Sequence, residues 1–522
     1  MLRLIIKSLV ELFSKFFSTL LDKRSQRVGA KKTSHALAEA HISTGNAEIK
    51  NLINANSPKS GFYLLEKNLD AFISRRHLIN NAEVTLDLQY YYFHGDTSGH
   101  LIAKSLVEAA NRGVRVRLLL DDIDTLGADE PISLLNSHPE IEIRIFNPFY
   151  FRGLLRYFEI INISRVGRRM HNKAIIADNS QAIIGGRNIG DIYFSADPET
   201  LFLDIDLLSV GPIVSHISKS FDEYWNSRWA IPVDDLYARP NKTYAQGRIK
   251  SFIKRHLQDV RVADFSQALV SSDLHSANSV SELPLIWSEA QLFYDAPSKI
   301  DESVESASRE LKTDLHNVVN SATESITIIS PYFIPGEQGV EWFRNIIKKG
   351  ITVNVFTNSL AATDVIAVHS GYINYRYDLL DAGVNLYELK PSAYARERKK
   401  FKLLQPGSRT SLHAKTIIVD HHKVFIGSPN LDPRSRELNT EIGLLVDNAK
   451  LADQVKEMFA GITQKRNSYH ITLENNGDGK KKLVWVSEEK GKPITVYSEP
   501  DVGFWRKLSL QLLRLVPMEE FL

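Results

Sequence analysis

Apolar and polar positions along the chain fall into one pattern twice, displaced by about 240 residues. The first copy runs AEVTLDLQYYYF (82–93) and then GHLIAKSLVEAANRGVRVRLLLDD (99–122). The second runs TESITIISPYFIP (323–335) and then GVEWFRNIIKKGITVNVFTNS (339–359). In each, a β-branched and aromatic run precedes a segment of helical period, a glycine (Gly113, Gly350) and another apolar run. Strand, helix, turn and strand in that order predict parallel βαβ units and an α/β fold. A further strand pair follows in each copy, KAIIAD with QAIIGG (173–186) and KTIIVD with KVFIGS (415–428), each predicted to form a hairpin.

This reading divides the chain into an amphipathic N-terminal segment (1–30), a first half (40–235), a linker with helical insertions (236–310), a second half (311–465) and a C-terminal extension (466–522). Both ends are amphipathic. Near the N-terminus Leu2, Ile6, Leu9, Phe13, Phe16 and Leu20 share one face of a helical wheel, and Arg3, Lys7, Glu11, Lys15 and Asp22 the other. That pattern fits a helix lying in a membrane interface, a helix docked on the protein's own core, or a variant export signal. The last segment, GFWRKLSLQLLRLVPMEEFL, carries Trp505 beside Arg506 and Lys507.

Composition narrows the field. The 522 residues are 43% apolar and carry 64 basic against 62 acidic side chains. A large core can be buried, and the strong basic excess of a dedicated nucleic-acid binder is missing. With no cysteine, disulfides, thiolate zinc sites and a thiol nucleophile are excluded. No stretch reaches the roughly 18–20 apolar residues of a membrane-spanning helix.

The repeated hairpins carry the chemistry. The first places His171, Lys173, Asp178, Gly185, Gly186 and Asn188 at the same spacing as His413, Lys415, Asp420, Gly427, Ser428 and Asn430 in the second. Residues two apart in an extended strand share a face, so each His projects beside its Lys. A lysine there suits the charge that develops on a phosphate, and an imidazole supplies a nucleophile or a proton carrier near neutral pH. If the halves face each other, one histidine can attack phosphorus while the other protonates the leaving oxygen. A lone His-x-Lys is usually inert, and a duplicated hairpin could be mere architecture. Packing alone, however, would preserve apolar positions and not His, Lys and Asn at fixed offsets.

The duplicated His-x-Lys-x4-Asp signature resembles that of the phospholipase D superfamily. Within it, GVRVRLLLDD, FNPF, RRMHNK, GGRNIGDIYF, TNSLAATDV, LHAKT and NLDPRSRELNTE are similar to bacterial cardiolipin synthases, most closely their C type. The resemblance implies two phospholipase D-type α/β sandwich halves about a pseudo-twofold axis, with the site between them. It implies that His171 attacks phosphorus and His413 is the acid/base, that Lys173, Lys415, Asn188 and Asn430 hold phosphate oxygens, and that an acid downstream of each motif orients its histidine. Glu441 matches that acid in the second half; Asp204, with Asp206 next, is the candidate in the first. Asp178 and Asp420 read as structural. Arg168, Arg169, Gly186, Ser428 and His369 are candidates at the substrate, although for His369 a satisfied buried histidine is the favoured reading and the arginines could be a solvated surface. The basic run at 395–409 is open to the same two readings. No metal and no cofactor are implied.

The activity so implied is transfer of a phosphatidyl group to phosphatidylglycerol through a phosphohistidine, making cardiolipin. Hydrolysis to phosphatidic acid by the same residues is the alternative, and a nuclease of the superfamily a weaker one, since no basic groove interleaved with aromatics is evident. The expected setting is the cytoplasmic face of a bacterial inner membrane, held peripherally by the amphipathic ends, with no nucleic acid bound.

Overall fold

The structure is a computed structural model and describes residues 31–41, 47–149, 151–153, 156, 159, 163–237, 247–249, 251, 260–270, 272–276, 279–301, 310–394, 408–476 and 480–513. The N-terminal amphipathic segment, most of the 395–409 basic run and the end of the C-terminal tail lie outside the described residues.

In the first half the strands are β1 (Ser60–Leu65), β2 (Thr85–Tyr90), β3 (Arg115–Asp121), β4 (Ile141–Phe146), β5 (Ala174–Ala177), β6 (Gln181–Gly185), β7 (Thr200–Leu203), β8 (Asp206–Val210) and β9 (Ala230–Pro232). Then come β10 (Ile286–Ser288) and β11 (Ala290–Tyr294). The second half has β12 (Ser325–Ile329), β13 (Thr352–Asn358), β14 (Asn385–Leu389), β15 (Arg409–Leu412), β16 (Thr416–Val419), β17 (Lys423–Gly427), β18 (Ile442–Asp447), β19 (Ser468–Asn476), β20 (Lys480–Glu489) and β21 (Lys492–Val496).

One sheet runs β10-β1-β8-β6-β5-β2-β3-β4-β9 and the other β11-β18-β17-β16-β12-β13-β14-β19-β20-β21. From β1 to β9 and from β11 to β19 the two orders are the same, strand for strand. β2, β3 and β4 are parallel, as are β12, β13 and β14, because a helix crosses over between each successive pair. The hairpins β5–β6 and β16–β17 are antiparallel.

The repeat boundaries differ from those read in sequence. β11, from the stretch read as linker, is the second-half counterpart of β1, and β19, from the stretch read as extension, is the counterpart of β9. β11 is an edge strand and β19 is paired on both sides by β14 and β20, and the mixed polarity of both hid them among loop-like residues.

Each sheet buries both faces. Along β5, Ile175 and Ala177 join an outer core with the helices Asn68–Asn81 and Thr97–Asn111, while Ala174 and Ile176 join a central core. In β16, Ile417 and Val419 face the outer core of the second half and Ile418 the central one. Between the sheets sit the helices Ile213–Asn226 and Ala449–Ile462, whose Phe221, Trp225, Leu451 and Val455 fill the shared layer. Both halves therefore bury apolar surface in one core, which holds them face to face.

Each motif aspartate sits at its hairpin turn with positive φ, 54° for Asp178 and 48° for Asp420. Asp178 accepts from the backbone N–H groups of Glu83, Val84 and Thr85 at 2.9, 2.8 and 2.7 Å. Asp420 does the same for Thr323, Glu324 and Ser325. Each carboxylate satisfies the entry to the neighbouring central strand, and neither touches a motif histidine. Asp178→Ala orphans three backbone donors at a buried turn and should lower unfolding free energy by about 3 kcal/mol. Urea denaturation checks this; an unchanged midpoint contradicts it.

Candidate active site

Two cross-half seams place the motif histidines. β7 and β15 pair in parallel across the interface, Leu203 opposite Leu412, and the N–H groups of His413 and Ala414 both donate to the Leu203 carbonyl. Met170 bridges Thr440, with His171 N–H donating to Thr440 O at 2.9 Å and Thr440 N–H to Arg169 O at 2.9 Å. The chain leading into each histidine thus runs beside the chain leading into the other half's acid. Polar residues at the ends of β3 and β13 brace these segments from below. Asp121 accepts from Met170 N–H at 2.8 Å, and the Asn358 side chain bonds both the N–H and the carbonyl of Leu412.

The acids are crossed as a result. His171 Nδ1 meets Glu441 Oε2 at 2.8 Å, and His413 Nδ1 meets Asp204 Oδ2 at 2.6 Å. The expectation that each motif's own half supplies its orienting acid is corrected: Asp204 and Glu441 are the orienting acids, but each serves the histidine of the other repeat. Asp206, the reserve candidate, is bonded instead to buried Arg75 and Arg187 beneath the site.

With Nδ1 committed to a carboxylate, Nε2 of each ring is the atom left for chemistry. His171 is 7% and His413 6% exposed, so each is buried save for an edge. Burial pushes both imidazoles down to about 4 against the pull of their carboxylates, which makes them neutral at rest. Burial would raise Glu441 and Asp204, but the facing histidine and lysine groups hold both carboxyls down at about 2. Burial also pushes Lys415 to about 8 and Lys173 well below its ordinary value. Each lysine donates to the carbonyl of its own motif histidine. Charges of the two halves bear on one another here: Lys415 acts on His171, and Glu441, Lys415 and Asp204 all act on Lys173. Two buried amines at one place gain protons most readily when an anion joins them, which favours an anionic ligand.

The two carboxylates are seated differently. Ser428 Oγ donates to Glu441 Oε2 and itself accepts from Ile442 N–H at 2.9 Å. At the equivalent position Gly186 leaves room for the shorter acid: a Cβ there would lie 2.1 Å from Asp204 Oδ1. Gly186 and Ser428 therefore shape the acids, correcting their placement at the substrate. Behind Glu441, its N–H donates to Asp295 Oδ2 at 3.1 Å, and Asp295 pairs with buried Lys299 at 2.9 Å.

Other expectations are redirected. Arg169 is fully buried, donates to the carbonyls of Val166 and Asn147 and stacks on Phe149; Arg168 is buried and donates to the Lys299 carbonyl. Both brace the loop before His171 and are not substrate arginines. His369 is buried, 3.2 Å from Arg376 in a network with Glu388 and Glu499, so it is a satisfied core histidine. Asn188 donates to Tyr193 OH and accepts from Tyr92 N–H, whereas Asn430 keeps its side-chain oxygen buried without a partner among the described residues.

Aromatic walls escaped the sequence reading. Tyr91 stands edge-on to His171 at 4.8 Å with the Lys173 ammonium 5.3 Å from its ring, and His413 lies stacked on Phe202 and edge-on to Tyr193, both at 5.1 Å. The YYYF run that begins at the last residue of β2 and the spacing of Phe202 two residues before Asp204 were the available signals. No group of three or more His, Asp or Glu side chains suited to holding a metal occurs among the described residues.

A family profile described as "Cardiolipin synthase, PLD-like domain" matches residues 76–225 and again 315–463. Cardiolipin synthase C of Escherichia coli K12 is 39% identical over 90% of this chain and 97% of its own length. Cardiolipin synthase A of Pseudomonas entomophila is 26% identical over 77% of this chain and 67% of its own. The crystal structure of phosphatidylserine synthase from Haemophilus influenzae Rd KW20 superposes with a TM-score of 0.57 over 91% of this chain and 99% of that one at 13% identity, a likeness of fold. Fold, duplicated motif and family match define an enzyme of the phospholipase D type, of the phosphatidyltransferase kind. The chain belongs to the cardiolipin synthase family within it.

Two outcomes follow from the geometry. Gly186→Ala should drive Asp204 off His413 and cut turnover about a hundredfold while the fold survives; activity like wild type contradicts the seating of Asp204. In nitrogen-resolved NMR the rings of His171 and His413 should titrate near pH 4, so that lowering pH from 7 to 5 leaves both neutral; titration near 6.5 contradicts their burial.

Proposed function

We propose that the enzyme makes cardiolipin by passing a phosphatidyl group to the free hydroxyl of phosphatidylglycerol through a phosphohistidine on His171. The observation that carries this reading is the pair of buried imidazoles, each held at Nδ1 by a carboxylate and presenting Nε2, with Lys173 and Lys415 beside them. The 39% identity to a cardiolipin synthase over nearly the whole of both chains supports the lipid class.

The steps conserve atoms and protons. His171 Nε2 attacks phosphorus, the bond to the departing alcohol oxygen breaks, and His413 Nε2–H delivers the proton to that oxygen. The anionic phosphodiester supplies the charge that lets His413 hold a proton in the complex despite its low value in the free enzyme. Lys173 and Lys415 steady the non-bridging oxygens, with Asn430 as a further contact. Next, His413 takes the proton from an incoming hydroxyl as its oxygen attacks phosphorus and displaces His171. One phosphodiester replaces another, so the exchange is near balance. With phosphatidylglycerol as both donor and acceptor, glycerol is released. Crossed carboxylates serve both steps by fixing Nδ1–H and offsetting the imidazolium.

Water in place of the lipid hydroxyl would give phosphatidic acid from the same intermediate. The aromatic walls of Tyr91, Tyr193 and Phe202 around the rings favour a lipid alcohol over bulk water. A peripheral position on a bacterial inner membrane, at its cytoplasmic face, suits a substrate that never leaves the bilayer. No helix among the described residues is long and apolar enough to cross a membrane.

Incubating the protein with phosphatidylglycerol vesicles should yield cardiolipin and glycerol, and His171→Ala or His413→Ala should each cut this by about a thousandfold or more. With a substrate whose leaving group needs no acid, His413→Ala should accumulate phosphate label on residue 171. Phosphatidic acid as the sole product, or label on residue 413, contradicts the reading.

A further inference from the structure

The helix Phe504–Leu513 carries two apolar faces and needs only one for the fold. Its inner side is pinned. Leu510 is buried, and the Arg506 guanidinium donates to the carbonyls of Leu360, at 2.7 Å, and Thr363. On the outer side Phe504, Leu508 and Leu512 follow one another at four-residue spacing, with Trp505 alongside. Phe504 is 72% exposed, Trp505 76% and Leu512 58%, and the two aromatic rings stand edge-to-face at 5.5 Å. An ordinary surface helix turns polar residues outward. Here the outward face is the more apolar one.

Charge and position say what covers it. Lys507 flanks the apolar face, and Arg409 lies near enough to Arg506 to lower the affinity of that guanidinium for its proton. Aromatic rings with cations at their edge suit the headgroup level of an anionic bilayer. The segment gripped by Arg506 ends at exposed Asp364, which accepts from Tyr332 OH at 2.7 Å and whose charge acts on His413 and Lys415. Through this segment the helix is tied to the neighbourhood of His413.

We propose that the outer face of the helix Phe504–Leu513 is the seat on which the enzyme rests on an anionic phospholipid surface, with the Arg506 grip on Leu360 and Thr363 tying that seat to the side of the molecule that holds His413. This deepens the lipid-transfer reading and rests on it. Docking there shortens the path by which a headgroup leaves the bilayer for the two histidines.

The test uses the full chain, sedimented with vesicles of phosphatidylcholine containing phosphatidylglycerol. Replacing both exposed aromatics, Phe504→Ser with Trp505→Ser, should weaken vesicle binding about tenfold or more. Turnover of a water-soluble short-chain phosphodiester should stay at the wild-type level, since neither ring touches the site. A direct readout adds brominated lipid: it should quench a component of tryptophan fluorescence that the single variant Trp505→Phe lacks. Vesicle binding unchanged in the double variant, quenching unchanged in Trp505→Phe, or a self-associated form that the double variant dissociates would each overturn the seat. Loss of soluble turnover in the double variant would overturn it as well, by showing that these rings serve the cleft. Failure of wild-type enzyme to turn over the soluble diester strikes the lipid-transfer reading instead, and is thereby distinguishable.

Discussion

Each motif histidine is oriented by a carboxylate from the opposite repeat, and the rest of the site depends on that exchange. A buried imidazole needs Nδ1 satisfied and its ring fixed if Nε2 is to point at a reacting atom. Neither half can do this alone. The β7–β15 pairing carries Asp204 to His413, and the Met170–Thr440 bridge carries Glu441 to His171. Closing the halves on a shared apolar core is therefore what assembles the site. The same closure strips water from both lysines and raises their appetite for a phosphate.

The pseudo-symmetry is broken where chemistry asks for two roles. Glu441 is one methylene longer than Asp204 and leaves space for Ser428, whose hydroxyl shares the oxygen that faces His171. Asp204 is drawn close against Gly186 and gives Oδ2 to His413, while Oδ1 takes only the backbone N–H of Ile205 at 2.8 Å. Each carboxylate therefore takes two donors, Glu441 both on one oxygen and Asp204 one on each.

Much of this was legible in the sequence because the repeat is chemical as well as apolar. Six spaced positions announced the hairpins, and the β-α-β periodicity announced both sheets. Asp204 and Glu441 could be picked out by their place after each motif, but their exchange could not, since partner choice is set by backbone seams between distant strands. Arg168 and Arg169 misled because polarity near a motif does not say which way a side chain turns, and both are bonded within the core, whereas His369 is the satisfied buried histidine that the sequence reading favoured. β11 and β19 were hidden by their mixed polarity, β11 at a sheet edge and β19 between β14 and the terminal hairpin. Tyr91, Tyr193 and Phe202 drew no assignment from the sequence, and only their packing on the rings reveals their place at the site.

The crossed pairing can be tested one acid at a time with near-isosteric changes, reading both rings by NMR. Glu441→Gln should lower the titration of His171 further and leave His413 in place, because it removes the carboxylate that opposes burial at the first ring only. Asp204→Asn should do the converse. If Glu441→Gln moved His413 while His171 stood still, each repeat would be orienting its own histidine, and the account of a site assembled by exchange between halves would be wrong.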